Sequence, residues 1–226
     1  MINNKKLKDF LIYSYIIVSL LLFVVILVIP TTRAIFEDLS KNQPYIMGFI
    51  KFALLATAGE LIASYVISPS KTVPVKIVFR FLIWGLIGIW ITFMMKVFSN
   101  AVATMMANGQ LLGGDSTFLK AFYTSLIMNT TFGPTFMAIH KITDKLLELW
   151  DKKESCSLKN VVTSIDWSTF CSFTILKTVP FFWIPAHTIT FLLPVQYQVM
   201  MAAGLSVALG IMLSLSNRKK ATKETK

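Results

Sequence analysis

The sequence predicts an all-α, polytopic transmembrane helix bundle of six spans, the fifth kinked by proline. Three observations predict it. Of 226 residues, 55% are hydrophobic and only 15% charged, against about 25% charged in an ordinary soluble domain. The apolar residues gather into blocks, several of which reach the ~20 residues that cross ~30 Å of hydrocarbon. The basic residues, which give a formal net charge of +11, cluster between alternate blocks. A disordered chain, a fibre and a soluble enzyme are excluded. Two cysteines, Cys156 and Cys171, also exclude a disulfide-built fold. Helices are the default because hydrocarbon gives backbone groups no water to bond. The blocks lack the period-two alternation of a β-barrel.

Residues 1–9 form a basic amino end with Lys5, Lys6 and Lys8. Span one is 10–29, and Leu11–Ile29 carries no charge. Its apolar run exceeds the 7–15 residues of a signal-peptide core and no Ala-x-Ala site follows, so it is expected to stay as a helix. Ile35, Phe36 and Leu39 read as an interfacial segment. Span two is 46–67, with Lys51 and Glu60 inside it. Span three is 77–98, with Arg80 and Lys96 towards its ends. The Gly113–Gly114 pair reads as a turn. Span four is 118–139, with Lys120 near its start and the polar Asn129, Thr130 and Thr131 at its centre. Ile142, Leu146, Leu149 and Trp150 recur at helical spacing among charges, an amphipathic extension near the interface. Between Cys156 and Asp166 the chain reads as a loop. Span five is 168–193. Pro180 and Pro185 each remove an N–H donor and clash one turn back, which predicts the kink. Span six is 195–215, and 216–226 is a basic tail.

Orientation follows from the Lys/Arg asymmetry. With the amino end in the cytoplasm, 15 cations fall on the inner segments and only Arg33 and Lys41 on the outer ones. Both termini are therefore cytoplasmic. The basic residues mark the anionic face of a lipid bilayer, not a nucleic-acid surface. Small residues supply the close approaches that helix association in lipid needs: Ala202, Ser206 and Gly210 in span six, Ala56, Gly59, Ala63 and Ser64 in span two, Gly85 and Gly88 in span three. Packing within the chain explains them, and a homo-oligomer seam stays open.

Glu60 is the only acidic residue in any span. It lies roughly 10 Å from the inner end of its helix at 1.5 Å per residue, where an unpaired carboxylate is costly. Lys177 in span five is its best partner by depth. Arg80 is shallower, but its long fork reaches down. Lys51, Lys96 and Lys120 lie near outer ends and can snorkel to water. The intramembrane polar site is thus Glu60 with Lys177, Arg80 and Asn129. His187 reads as an interfacial hydrogen bonder, and a lone histidine is no metal site. No nucleophile elbow, phosphate loop or dinucleotide fingerprint is present. No cofactor or metal is called for, and an enzyme is the weakest reading.

Four segments resemble the Mpv17/PMP22 family of small integral membrane proteins, in a bacterial-type form, over roughly 45–215. They are Gly59–Glu60; the run GIWITFMMKVF from Gly88 to Phe98; NTTFGPTF from Asn129 to Phe136; and FWIPAHTITFLLPVQY from Phe182 to Tyr197. Pro134, Phe136, Pro194 and Tyr197 match the family pattern. Met128 stands where the family has an acid, Gln198 where an arginine often follows the tyrosine, and the polar pair of the Trp-Pro segment is unmatched. The resemblance implies a small integral membrane protein, some relatives of which are discussed as weakly selective channels for small solutes. No organelle address is carried over, and a prokaryotic plasma membrane is expected. A small-solute channel or transporter and a structural or accessory membrane protein are the two leading expectations.

Overall fold

A computed structural model describes residues 4–67 and 76–224. Lys71 and Lys226 lie outside the described residues, as do the side chains of Lys5 and of the basic tail from Asn217. Among the described residues all regular structure is helical. The helices are α1 (Asn4–Val28), α2 (Pro30–Asn42), α3 (Pro44–Leu61), α4 (Ile77–Ala107), α5 (Thr117–Asp151), α6 (Leu158–Thr163), α7 (Trp167–Thr169), α8 (Ile184–Leu192) and α9 (Val195–Glu224). Two wider-wound π-helical stretches extend α3 over Ile62–Ile67 and join α7 to α8 over Phe170–Trp183.

Among the described residues, five helical segments are long and apolar enough to cross a membrane: Lys6–Val28, Pro44–Tyr65, Ile77–Ala107, Trp167–Leu192 and Val195–Met212. They fall on predicted spans one, two, three, five and six. The predicted fourth span lies within α5, which is continuous for 35 residues but is not among the five. Thr124, Ser125, Asn129 and the threonines after it dilute its apolar content.

Some boundaries move. α4 runs to Ala107, beyond the predicted end at 98, and Val102 and Met106 are buried on it. The expected loop at 156–166 contains α6, started by Ser157, whose hydroxyl accepts from the Asn160 N–H. On the extension of α5 the buried residues are Leu147 and Leu149, whereas Leu146 and Trp150 are exposed. The apolar face is therefore not quite the one the spacing suggests. Pro180 sits inside the π-helical stretch and Pro185 opens α8. Gly113 and Gly114 both adopt positive φ between α4 and α5, a conformation that favours glycine.

The chain forms two compact units, Met1–Thr92 with Val195–Lys226, and Phe93–Pro194. In the first, α3 is the central element, packed by α1, α2 and α9. Two close approaches explain its small residues. A Cβ on Gly88 would collide with the Gly48 carbonyl and with Phe52, so α3 and α4 cross there backbone to backbone. A Cβ on Gly59 would strike Val207, and Gly210 faces Ala63, which brings α9 equally near. The small-residue stripes of α3 and α9 are thus used inside the chain. α1 docks through Ile12 and Ile16 against Leu61 and Tyr65, and the Tyr65 hydroxyl donates to Asp9. In the second unit α5 packs along α8 and meets α6 near its end.

Candidate functional site

Three polar clusters lie within the apolar helices. The first belongs to Glu60. On α4, Arg80 and Trp84 stand four residues apart and so share a face. Arg80 Nη1 donates to Glu60 Oε1 and forms an ion pair with it. Trp84 Nε1 donates to Glu60 Oε2 at 3.1 Å. Both carboxylate oxygens are engaged, and the Trp84 ring stacks near Phe52. The Glu60 side chain keeps 22% of its surface exposed and Arg80 10%. Of the two cations the sequence offered to Glu60, the structure gives it Arg80. Lys177 belongs to the other compact unit and is exposed there.

The second cluster forms around Lys51. Instead of snorkelling, Lys51 is 2% exposed. Its ammonium donates to Ser40 Oγ at 2.8 Å and to the Gln196 carbonyl at 3.0 Å. It also lies 4.5 Å from the centre of the Phe36 ring, a cation–π distance. α2 is the reason. Its Phe36 and Ser40, four apart, fold over α3 and cover the lysine. Beside them Tyr197 stacks on Phe36 and donates to Glu37. Ile35 and Leu39 are exposed, but Phe36 is core. A signal was available: an aromatic and a hydroxyl at helical spacing just before a span with a charge in its first turns.

The third cluster joins α5 and α8. Asn129 Nδ2 donates to the Ser125 carbonyl at 2.8 Å. Its Oδ1 therefore faces His187 Nδ1, 3.0 Å away. An acceptor there fixes the neutral histidine as the Nδ1–H tautomer, with a lone pair left on Nε2. Ser125 Oγ donates to the Ile184 carbonyl at 2.7 Å, and Trp183 stacks on the imidazole at 5.3 Å. The Trp183 Nε1 is buried without a partner. His187 bonds one helix to another. Two polar centres, 58 residues apart, meet in a way that neither local sequence announces. Thr130 and Thr131 instead bond back along their own helix and stay exposed.

At the charged end of α5, Lys145 and Lys152 each donate to Glu148 at 2.7 Å. These bonds, that from Lys145 first, hold the Glu148 carboxyl down at about 2. The Glu148 bond holds the Lys152 ammonium above its usual range. Asp166, which caps α7 by accepting from the Thr169 hydroxyl and N–H, is also lowered by those bonds.

Among the described residues no three His, Cys, Asp or Glu side chains gather as metal ligands. Cys156 and Cys171 are both free and exposed. No family model, curated protein or solved structure matches the chain.

Proposed function

We propose that the chain is a six-span integral membrane protein of the plasma membrane with both termini cytoplasmic, acting as a structural or accessory component without a solute path of its own. α5 supplies the remaining span. Its polar Thr124, Ser125 and Asn129 are buried, and the last two bond to α8, so lipid need not meet them. The fifth span bends at Pro180 and Pro185. The residues that resemble the Mpv17/PMP22 family fall on packing contacts: Gly59 against Val207, Gly88 against Gly48, Asn129 against His187. That supports a structural use of the motifs.

The observation that carries the reading is the double engagement of Glu60. A carboxylate whose two oxygens are taken by Arg80 and Trp84 is a register-fixing tie between α3 and α4. Reconstituted vesicles should pass small ions and metabolites no faster than empty ones. Glu60→Ala should lower stability by about 2 kcal/mol, since loss of one partner of a fully buried pair costs ~3–5 kcal/mol and this pair is partly wetted. Exchanging the charges, Glu60→Arg with Arg80→Glu, should recover part of it. Flux above that of empty vesicles that disappears in Glu60→Gln would establish the second reading, a weakly selective small-solute channel or transporter. What favours that reading is the 22% exposure left on Glu60.

A further inference from the structure

The apolar segment Trp167–Leu192 contains a single lysine, no arginine and no acid. That lysine, Lys177, points outwards. It is exposed, and it forms no hydrogen bond or ion pair with any described residue. Lys51 and Arg80 differ, since both are bonded inside the chain.

Depth makes the exposure costly. Trp167 opens the segment, and tryptophan collects at the membrane interface. Lys177 follows it by ten residues, roughly 10–15 Å along the axis. Snorkelling along a four-carbon stem recovers about 6 Å of that, which leaves the ammonium still inside hydrocarbon. Ionisable groups at such a depth almost always face a bundle interior or a water-filled cavity and pair there. Within this chain Lys177 has no such pair.

Its surroundings suit a second helix. Phe173, Leu176 and Phe181, on the adjoining turns, are 40%, 68% and 81% exposed. Towards the inner end of the same segment Ser168 and Ser172 are exposed as well. The Ser172 hydroxyl donates back to the Ser168 carbonyl at 2.8 Å, so it asks nothing of a neighbour. Small side chains there let another backbone come close. The face thus offers a flat approach, large apolar side chains and one uncompensated positive charge.

We infer that Lys177 anchors a docking face for a different membrane protein, whose spanning helix carries a carboxylate at hydrocarbon depth. Charge complementarity selects the acid. A second copy of this chain does not supply it, because Glu60 is the only acid in any span and both its oxygens are taken. Lipid phosphates stay at the headgroup level, above the ammonium. The inference rests on the accessory role proposed above and states the chemistry of the partner.

The test uses the full chain in phosphatidylcholine bilayers together with a tryptophan-free Leu-Ala helix of about 22 residues. The helix carries a dansyl group and one glutamate at its centre, which can meet Lys177 in either orientation. Association is read as energy transfer from the chain's tryptophans to dansyl. The glutamate helix should associate roughly three- to thirtyfold more tightly than the same helix with leucine at that position. Lys177→Met should abolish the preference without lowering the Tm, since the lysine makes no bond in the chain. Lys177→Arg should keep the preference, and Lys177→Glu should transfer it to a helix with a central lysine. Equal association of the glutamate and leucine helices with the natural protein, the result if Lys177 only snorkels to lipid phosphate, would overturn the inference. An undiminished preference in Lys177→Met would overturn it too. Solute flux is a separate readout, so this inference and the accessory reading fail independently.

Discussion

Lys51 permits a prediction in which the sign of a large term is at stake. Changing it to methionine keeps the length of the stem and removes the charge. Two things are lost: the donations to Ser40 and Gln196, about 1.5–3 kcal/mol each for bonds from a charged donor, and the contact with Phe36, about 0.5–2 kcal/mol. Against them stands the cost of holding an ammonium out of water, several kcal/mol for a group this buried. The terms nearly cancel, so Lys51→Met should change stability by no more than about 2 kcal/mol. Ser40→Ala is different. It leaves the ammonium in place with one partner fewer, and should cost about 1.5–3 kcal/mol. In the Lys51→Met background the same Ser40→Ala should cost well under 1 kcal/mol, because the charge that needed the hydroxyl is gone. The assay is reversible unfolding in mixed micelles, followed by tryptophan fluorescence and analysed as a double-mutant cycle. A loss above about 3 kcal/mol for Lys51→Met, or an equal cost of Ser40→Ala in both backgrounds, would refute the reasoning.

Other outcomes follow from the same geometry. Gly88→Ala should cost about 1–3 kcal/mol by forcing its Cβ onto the Gly48 carbonyl, whereas Gly204→Ala, with no atom within 4 Å of the new Cβ, should be neutral or slightly stabilising; paired melts compare them. Asn129→Leu should destabilise by about 1–3 kcal/mol by stranding His187, and nitrogen NMR of the natural protein should report the Nδ1–H tautomer. The Glu148 carboxyl, held near 2 in the folded state against its ordinary 4.5, contributes stability that is present above about 4.5 and is lost as pH falls towards 2. Its exposure keeps that contribution under about 1 kcal/mol. Carbon NMR titration checks it, and both Lys145→Ala and Lys152→Ala should move the midpoint up.

The helices that the sequence announces most clearly are those whose apolar runs are uninterrupted. Span one contains no charge for 19 residues, and spans three and six are nearly as plain. The segment 118–139, read as a fourth span, lies within α5 but is not among the five apolar crossings, because its buried face is polar: Thr124, Ser125 and Asn129. The end of α4 was misplaced because Ser99 and Asn100 look like a stop signal, although Val102 and Met106 beyond them are packed. For Glu60 the right residue types were visible, but the choice between Lys177 and Arg80 depends on how helices are arranged, which depth along a span does not determine. Lys51 was misjudged for a related reason. Position near a helix end predicts access to water only if nothing folds over that end, and α2 does.

The partners of α3 also arrive in an order that the ribosome dictates. Ser40 precedes Lys51 by 11 residues, but the Gln196 carbonyl follows it by 145, and Arg80 follows Glu60 by 20. At about 5–20 residues per second of synthesis, the acid waits on the order of one to four seconds for its guanidinium, and the amine waits on the order of ten seconds or more for its second acceptor. The centre of the first unit is therefore made early and completed late: Glu60 meets its guanidinium on the very next helix, whereas Lys51 gains its second acceptor only when the last helix arrives.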